Sequence, residues 1–309
     1  MTKEITILIP VFNDWEACNL LIKKIEPELD TIAETIHIVL VNDGSTDPCI
    51  LDYSDKIYIR IIHLMRNVGH QKAIAIGLSF LAEENINSSV IVMDCDGEDN
   101  PKDIQLLMRA STSDRIIFAR RMKRSEGILF RLFYFIYKTI FKLLTGTIIS
   151  FGNFSLIPPS QLRRLTFTSE IWNNYPGGII RSRIPYDVVS TQRGRRLAGH
   201  SKMNFVNLVT HGMSAIAVFI DTTAVRIMLF SFAMIIICLI GIVAVFSLKF
   251  IFQMATPGWA SNLISAFFII VLQAFFISLF MVFTVLSYRT NKHFIPALDF
   301  KPFIEKITS

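Results

Sequence analysis

Short apolar runs alternate with stretches of helical periodicity over the first 121 residues of the chain. Runs at 5–12, 36–42, 57–64, 90–94 and 115–119 have strand length, while 16–25, 70–84 and 102–110 repeat apolar residues at helical spacing. This β–α alternation predicts a parallel sheet covered by helices, in which ligands bind at the carboxyl ends of the strands. Farther along the pattern changes. Residues 128–144 are apolar except for Arg131, Lys138 and Lys142, which fall within about 40° of one another on a helical wheel. A thin basic stripe on a Phe/Leu/Ile/Tyr surface predicts a helix lying in a membrane interface. Phe205, Leu208, Val209, Gly212, Met213, Ile216, Phe219 and Ile220 predict a second, juxtamembrane helix.

Two runs carry no charge, 227–248 and 263–288. As helices they would measure about 33 and 39 Å, enough to cross a hydrocarbon core of about 30 Å. Arg226 precedes the first run. Arg289, Lys292 and His293 follow the second, and the loop between them holds one cation, Lys249, and the turn signal Pro257-Gly258. The positive-inside rule then assigns residues 1–225 and the C-terminal tail to the cytoplasm.

These runs account for the composition: 52% of 309 residues are hydrophobic and 18% charged, which excludes a disordered chain. The net charge of +6 is a mild basic excess suited to an anionic membrane surface or a phosphorylated substrate, and no nucleic-acid partner is expected. Cys18, Cys49, Cys95 and Cys238 have no paired spacing, in keeping with a reduced compartment and giving no zinc site. The first apolar run has strand length and is interrupted by Pro10, so no secretory leader is expected.

Polar clusters follow the strands at one expected edge of the sheet. They are Asn13-Asp14, then Asn42-Asp43-Gly44-Ser45-Thr46-Asp47, then Asp94-Cys95-Asp96-Gly97-Glu98-Asp99. On an extended backbone Asp94 and Asp96 would share a side, and Glu98 could return to it after the Gly97 turn. Converging carboxylates suit Mg2+ or Mn2+, hard ions that bridge to substrate phosphates; a solvated turn before Pro101 is the plainer alternative. Asn42–Asp47 is good turn chemistry and equally a loop whose Asp could bind a base or ribose. Arg66-Asn67-Val68-Gly69 before a helix carrying Lys72 could cradle a pyrophosphate. Arg120, Arg121, Lys123, Arg124 and Arg131 gather cations after the fifth strand, and arginine forks suit phosphate. A basic loop, Gln192 to Lys202, comes later. His200 and His211 show no paired ligand spacing and receive no catalytic role.

In this order, Ile9-Pro10-Val11-Phe12-Asn13-Asp14, Val41-Asn42-Asp43-Gly44-Ser45-Thr46-Asp47, Arg66-Asn67-Val68-Gly69 and Asp94-Cys95-Asp96 resemble the motifs of glycosyltransferase family 2. With two apolar runs at the C-terminal end, the chain is similar to the polyprenyl-phosphate glycosyltransferase branch, that of dolichol-phosphate mannose synthase and the bactoprenol glucosyltransferases. The resemblance implies an α/β GT-A fold, a nucleotide-diphosphate sugar donor, Mg2+ or Mn2+ as cofactor, and transfer with inversion. It implies that Pro10, Phe12, Asn13, Asp14, Asn42 and Asp43 contact the nucleotide, with Gly69 and Lys72 beside them. Asp94 and Asp96 would be catalytic and, with Glu98, flank the metal. Arg120, Arg124, Arg131, Ser201 and Lys202 would hold the acceptor phosphate. The chain departs from the pattern at Asp14 (more often Glu), Asn42 (more often Asp), Glu98 (often Gln) and Ser155, which replaces the Arg of a Gly-x-Phe-Arg-Leu element.

The expected organisation is a catalytic domain over 1–165, an acceptor-side segment with a juxtamembrane helix over 166–225, and a transmembrane hairpin with a cytoplasmic tail over 226–309. The expected reaction is displacement at the anomeric carbon by a polyprenyl phosphate oxygen at the cytoplasmic membrane face. Another lipid or a lipid-linked saccharide is the alternative acceptor. A processive synthase is disfavoured, because Gln161-Leu162-Arg163-Arg164-Leu165 lacks the tryptophan of a Gln-x-x-Arg-Trp motif. Gln273, inside the second run, could hydrogen-bond a neighbouring helix in a homo-oligomer.

Overall fold

The structure, a computed structural model, describes residues 4–29, 35–54, 57–122, 128–199, 205–252, 258–291 and 293–309. The strands are β1 (Glu4–Val11), β2 (Thr35–Asn42), β3 (Ile57–Leu64), β4 (Ser89–Val92), β5 (Ile116–Arg121), β6 (Ser155–Ile157), β7 (Tyr186–Thr191) and β8 (Ile304–Thr308). The helices are α1 (Trp15–Leu29), α2 (His70–Glu83), α3 (Asp103–Ala110), α4 (Ile128–Thr145), α5 (Pro159–Thr166), α6 (Tyr175–Ser182), α7 (Phe205–Ala217), α8 (Ile220–Phe250), α9 (Trp259–Thr290) and α10 (Pro296–Asp299). The chain divides into two compact units: Met1–Tyr134 with Ile149–Val218 and His293–Ser309, and Phe135–Ile148 with Phe219–Lys292.

The first unit is built on one sheet in the order β7-β5-β6-β4-β1-β2-β3-β8. β4, β1, β2 and β3 run parallel, as the alternation predicts. The sheet is mixed rather than wholly parallel, because β6 lies antiparallel between β4 and β5, and β8 antiparallel on the outer edge of β3. Both sheet faces are covered, so central strands read as nearly continuous apolar runs. Along β1 the period of two sends Leu8 into one core and Ile5, Ile7, Ile9 and Val11 into the other. α2 packs so closely that a Cβ on Gly77 would sit 2.5 Å from Leu8 Cδ1 and 2.8 Å from Val41 Cγ2.

β8 has no counterpart in the sequence-based expectation, which treats everything after the second apolar run as a tail. After α9 the chain rejoins the first unit. Phe294 and Phe303 pack on Trp172, with ring centroids at 3.9 and 5.2 Å. Phe300 is fully buried, and β8 completes the sheet.

In the second unit α8 and α9 have 31 and 32 residues and form an antiparallel hairpin. A Cβ on Gly241 would come within 2.8 Å of the Phe267 ring, and Arg289 lies 3.6 Å from Asp221 at the open end. Only 17% and 6% of their most apolar stretches are buried. Leu229, Phe230, Ile237, Ile240, Phe268, Phe276, Phe280 and Phe283 all face outward. Both helices are long and apolar enough to span a membrane. α4 continues the apolar surface through Phe135, Ile136, Ile140 and Leu143. Arg226 ends α4, its Nη1 donating to the carbonyl of Leu143 at 2.7 Å.

Candidate active site

The site is assembled from loops at the carboxyl ends of β1, β2, β3 and β4. β1 ends in buried Pro10 and Val11, and the chain then turns through exposed Phe12 to Asn13, which adopts a positive φ of 50°. Such a backbone suits Asn. The Asn13 side-chain oxygen accepts from the N–H groups of Thr46 and Asp47 at 2.8 and 3.1 Å, and its backbone N–H donates to Ser45 Oγ at 2.9 Å. The β1 and β2 loops are therefore one structure.

Asn42 and Asp43, at the end of β2, are both buried. Asn42 Oδ1 accepts from the Ser45 N–H at 2.9 Å. Asp43 accepts from the backbone N–H groups of Val68 and Gly69, at 2.7 and 2.9 Å. Burial raises its pKa against those two donors and against His70 and Lys72. Gly44, at φ 70°, lies so close to the same turn that a Cβ would fall 2.5 Å from the Asn67 nitrogen. Gly69 takes φ 97° and opens α2, a conformation reserved for glycine. Lys72, one turn in, rests over the Trp172 ring at 5.4 Å.

β4 ends at Val92, two residues earlier than the sequence suggests. Asp94 and Asp96 therefore lie in a turn rather than on an extended strand, and they have different partners. Asp94 Oδ1 lies 3.0 Å from His70 Nε2, with Asn153 Nδ2 3.0 Å from the same nitrogen. Burial drives the Asp94 carboxyl up, but His70 and Arg121 outweigh it and bring it to about 2. His70 is raised by the same pairing, against its own burial. Asp96 Oδ1 accepts from the Glu98 N–H at 2.9 Å, and its Oδ2 lies 3.0 Å from Arg196 Nη1. Burial raises Asp96. The other end of the Arg196 guanidinium binds Asp14. Glu98 is shared by Arg121, at 3.1 Å, and Arg193.

Asp99 holds the turn from inside. It is buried, pairs with Arg121 Nη2 at 2.8 Å and accepts the Asp94 N–H at 3.0 Å. Burial and the neighbouring Asp94 push it up to about 7, against Arg121. The loop after β7 closes over this turn. Gly194 N–H donates to the Glu98 carbonyl at 2.8 Å and Leu197 N–H to that of Asp96 at 2.9 Å.

Sequence reasoning thus brings Asn13, Asp14, Asn42, Asp43, Gly69, Asp94, Asp96 and Glu98 into one region, with Lys72 beside it. It selects Arg120, whereas Arg121 faces the carboxylates; successive strand residues point to opposite faces, and Arg120 is exposed. Arg124, Ser201 and Lys202 lie outside the described residues, as does the Arg131 side chain. His70, Asp99, Asn153, Arg193 and Arg196 enter the site without having been selected. His211, set aside in the sequence, is held low by burial and by His70. Ser155 is buried against the Tyr175 hydroxyl at 2.7 Å and makes no surface available to phosphate.

The donor set around Asp94 and Asp96 is all oxygen, the chemistry Mg2+ and Mn2+ require. Asp94 Oδ1 is enclosed and faces His70 Nε2 at 3.0 Å. Asp96 and Glu98 face arginines instead, and among the described residues no three acidic, His or Cys side chains stand together as a ready-made metal cluster.

A mixed α/β sheet with its polar loops gathered at the carboxyl ends of the parallel strands places a ligand site at that edge. The model of glycosyl transferase family 2 matches residues 6–186, and the chain belongs to that family. It is 26% identical over 231 residues to the uncharacterized glycosyltransferase YkcC of Bacillus subtilis (strain 168), covering 69% of this chain and 68% of that one. Over 229 residues it is 23% identical to the undecaprenyl-phosphate 4-deoxy-4-formamido-L-arabinose transferase of Photorhabdus laumondii subsp. laumondii (67% and 65%). Over 137 residues it is 24% identical to the dodecaprenyl-phosphate galacturonate synthase of Rhizobium johnstonii (41% and 39%). Among solved structures, glucosyl-3-phosphoglycerate synthase from Mycobacterium tuberculosis, in complex with Mn2+, uridine-diphosphate and glucosyl-3-phosphoglycerate, superposes with a TM-score of 0.47 at 13% identity, covering 72% of this chain and 80% of that one.

Proposed function

We propose that this glycosyltransferase moves a sugar from a nucleotide-diphosphate sugar to a polyprenyl phosphate, with inversion, at the cytoplasmic face of a membrane. The observation that carries the reading is the presence in one chain of a donor-type loop cluster and a hairpin of two long, outward-facing apolar helices. Two relatives named for undecaprenyl-phosphate and dodecaprenyl-phosphate chemistry support the acceptor. The connectivity supports the topology: Ile149–Val218, which leads into the hairpin, and His293–Ser309, which follows it, belong to one folded unit, in keeping with both ends of the hairpin on one side of the bilayer.

In this reading the Asn13–Asp47 and Asp43–Gly69 hydrogen bonds shape the nucleotide pocket, and Phe12, exposed beside it, offers a face for a base. Asp94 and Asp96 would hold the divalent cation, with Glu98 at its margin. When bound, such an ion neutralises charge developing on the leaving diphosphate. Arg121, Arg193 and Arg196 are the protein's own positive charges beside that turn and add preorganised electrostatic stabilisation. The attacking group is a phosphate oxygen, already ionised at neutral pH, so no strong general base is required. It attacks the anomeric carbon from the face opposite the departing nucleoside diphosphate. Arg120, Arg124, Arg131, Ser201 and Lys202 are the proposed contacts of the lipid phosphate.

The test is to incubate the purified chain with polyprenyl phosphate, Mn2+ or Mg2+, and a panel of radiolabelled UDP- and GDP-sugars. Label from one donor should partition into the organic phase. Label found only in water-soluble polymer contradicts the reading.

A further inference from the structure

The chain after the hairpin touches the nucleotide loops through three separate ties. The first is a directional relay of hydrogen bonds. Asn42 Oδ1 accepts from the Ser45 N–H, so its Nδ2 is the donor toward His63 Nδ1 at 3.1 Å. His63 Nε2 lies 3.1 Å from Thr308 Oγ1, in β8. With Nδ1 accepting, a neutral imidazole carries its proton on Nε2 and donates it to the Thr308 hydroxyl. The second tie is backbone. Met65 N–H donates to the Phe303 carbonyl at 2.9 Å, immediately before the Arg66–Gly69 turn whose N–H groups Asp43 binds. The third is the aromatic stack: Phe294 and Phe303 flank Trp172, over whose ring Lys72 rests.

β8 is otherwise a mostly exposed edge strand, paired with β3 from Ile61 to Leu64 with a register shift between His63 and Leu64. The shift falls where the relay crosses. We propose that His63 and Thr308 are positioning residues of the donor site: β8, through the His63 ring, fixes the Asn42 amide and so the Ser45–Asp47 loop that receives the nucleotide. The inference rests on the reading of that loop as the nucleotide pocket. In consequence, the segment that returns from the membrane hairpin is part of the donor site rather than a trailing end.

The test uses the full chain in detergent, with Thr308→Val, Thr308→Ser, His63→Leu and His63→Gln variants. Amide hydrogen exchange is read first, without ligand. Thr308→Val and His63→Leu should speed exchange at Ser45, Thr46 and Asp47 while leaving β1 and β2 protected, and Thr308→Ser should restore the native rate. Unchanged exchange at these amides overturns the proposal, whether or not the protein binds nucleotide. UDP and GDP are then titrated with Mn2+ by calorimetry, and donor kinetics are measured with whichever binds. Thr308→Val should raise the donor KM about fivefold, the worth of one neutral hydrogen bond, with kcat little changed, and His63→Gln should fall between wild type and His63→Leu. The double variant His63→Leu/Thr308→Val should be no worse than His63→Leu alone, because the two act in series. A fall in kcat at unchanged KM contradicts a positioning role. Failure of the wild type to bind either nucleotide refutes the donor-pocket reading instead, and the exchange rates alone then decide whether the relay holds the loop.

Discussion

Asp43 commits both carboxylate oxygens to backbone N–H groups of the Arg66–Gly69 turn, so at the residue scale it ties that turn to the end of β2. Asp43→Ala leaves two half-buried donors without their carboxylate, a cost of about 1 kcal/mol for each group. A lower melting temperature in detergent and at least a tenfold loss of nucleotide affinity by calorimetry are expected. His63 gives a pH dependence of known sign. Burial and Lys306 hold its pKa below the ordinary 6.5, against Glu305. A histidine lowered in this way contributes its stabilisation fully above 6.5 and loses it as the pH falls through the lowered pKa. Protonation puts a hydrogen on Nδ1 and removes the acceptor for Asn42. The donor KM should therefore be level at neutral pH and rise on acidification, and the pH profile of His63→Gln should lose that rise. The carboxylates of this site were legible in the sequence because each cluster is local, within a few residues of one strand end. Arg196 was not, since it is 100 residues from Asp96 and 182 from Asp14, and no local pattern reports a contact across that distance.

At the scale of elements, the turn after β4 and the loop after β7 are fitted to each other. Gly97 has φ 81°, and a Cβ there would meet Leu197 Cγ at 2.4 Å. Gly97→Ala is therefore strained in its backbone and pushes the loop off the turn. Faster tryptic cleavage at Arg193, Arg195 and Arg196, and at least a tenfold loss of transfer, are the expected outcomes. Periodicity read the parallel strands and the helices between them correctly because both sheet faces are buried and each strand is a dense apolar run. It read β4 too long, because Met93 continues the apolar run although the backbone turns at Asp94. β8 was illegible for the opposite reason. Ile304-Glu305-Lys306-Ile307-Thr308 is short, carries two charges and faces solvent along an edge, so its identity as a strand comes from pairing with β3 and not from its own pattern.

On the whole-molecule scale, one chain leaves a folded α/β unit, makes an apolar hairpin and comes back to complete the sheet it left. This connectivity predicts that both sides of the hairpin face one compartment and the α8–α9 connection faces the other. In a Cys49→Ser background, Ser261→Cys at the start of α9 should react with a membrane-impermeant maleimide on intact cells, whereas Ser309→Cys should react only after permeabilisation. The two long apolar helices themselves were plain in the sequence, since each is an uncharged run long enough to cross a bilayer.

Glycosyl transfer onto a lipid phosphate has its sharpest check in mass spectrometry of the organic-phase product together with the released nucleotide. The expected product is a polyprenyl lipid with one phosphorus and one sugar, formed in equal amount with a nucleoside diphosphate, and absent with Asp96→Ala at saturating Mn2+. A lipid product carrying two phosphorus atoms with release of a nucleoside monophosphate, or full product formation by Asp96→Ala, would contradict such a transfer.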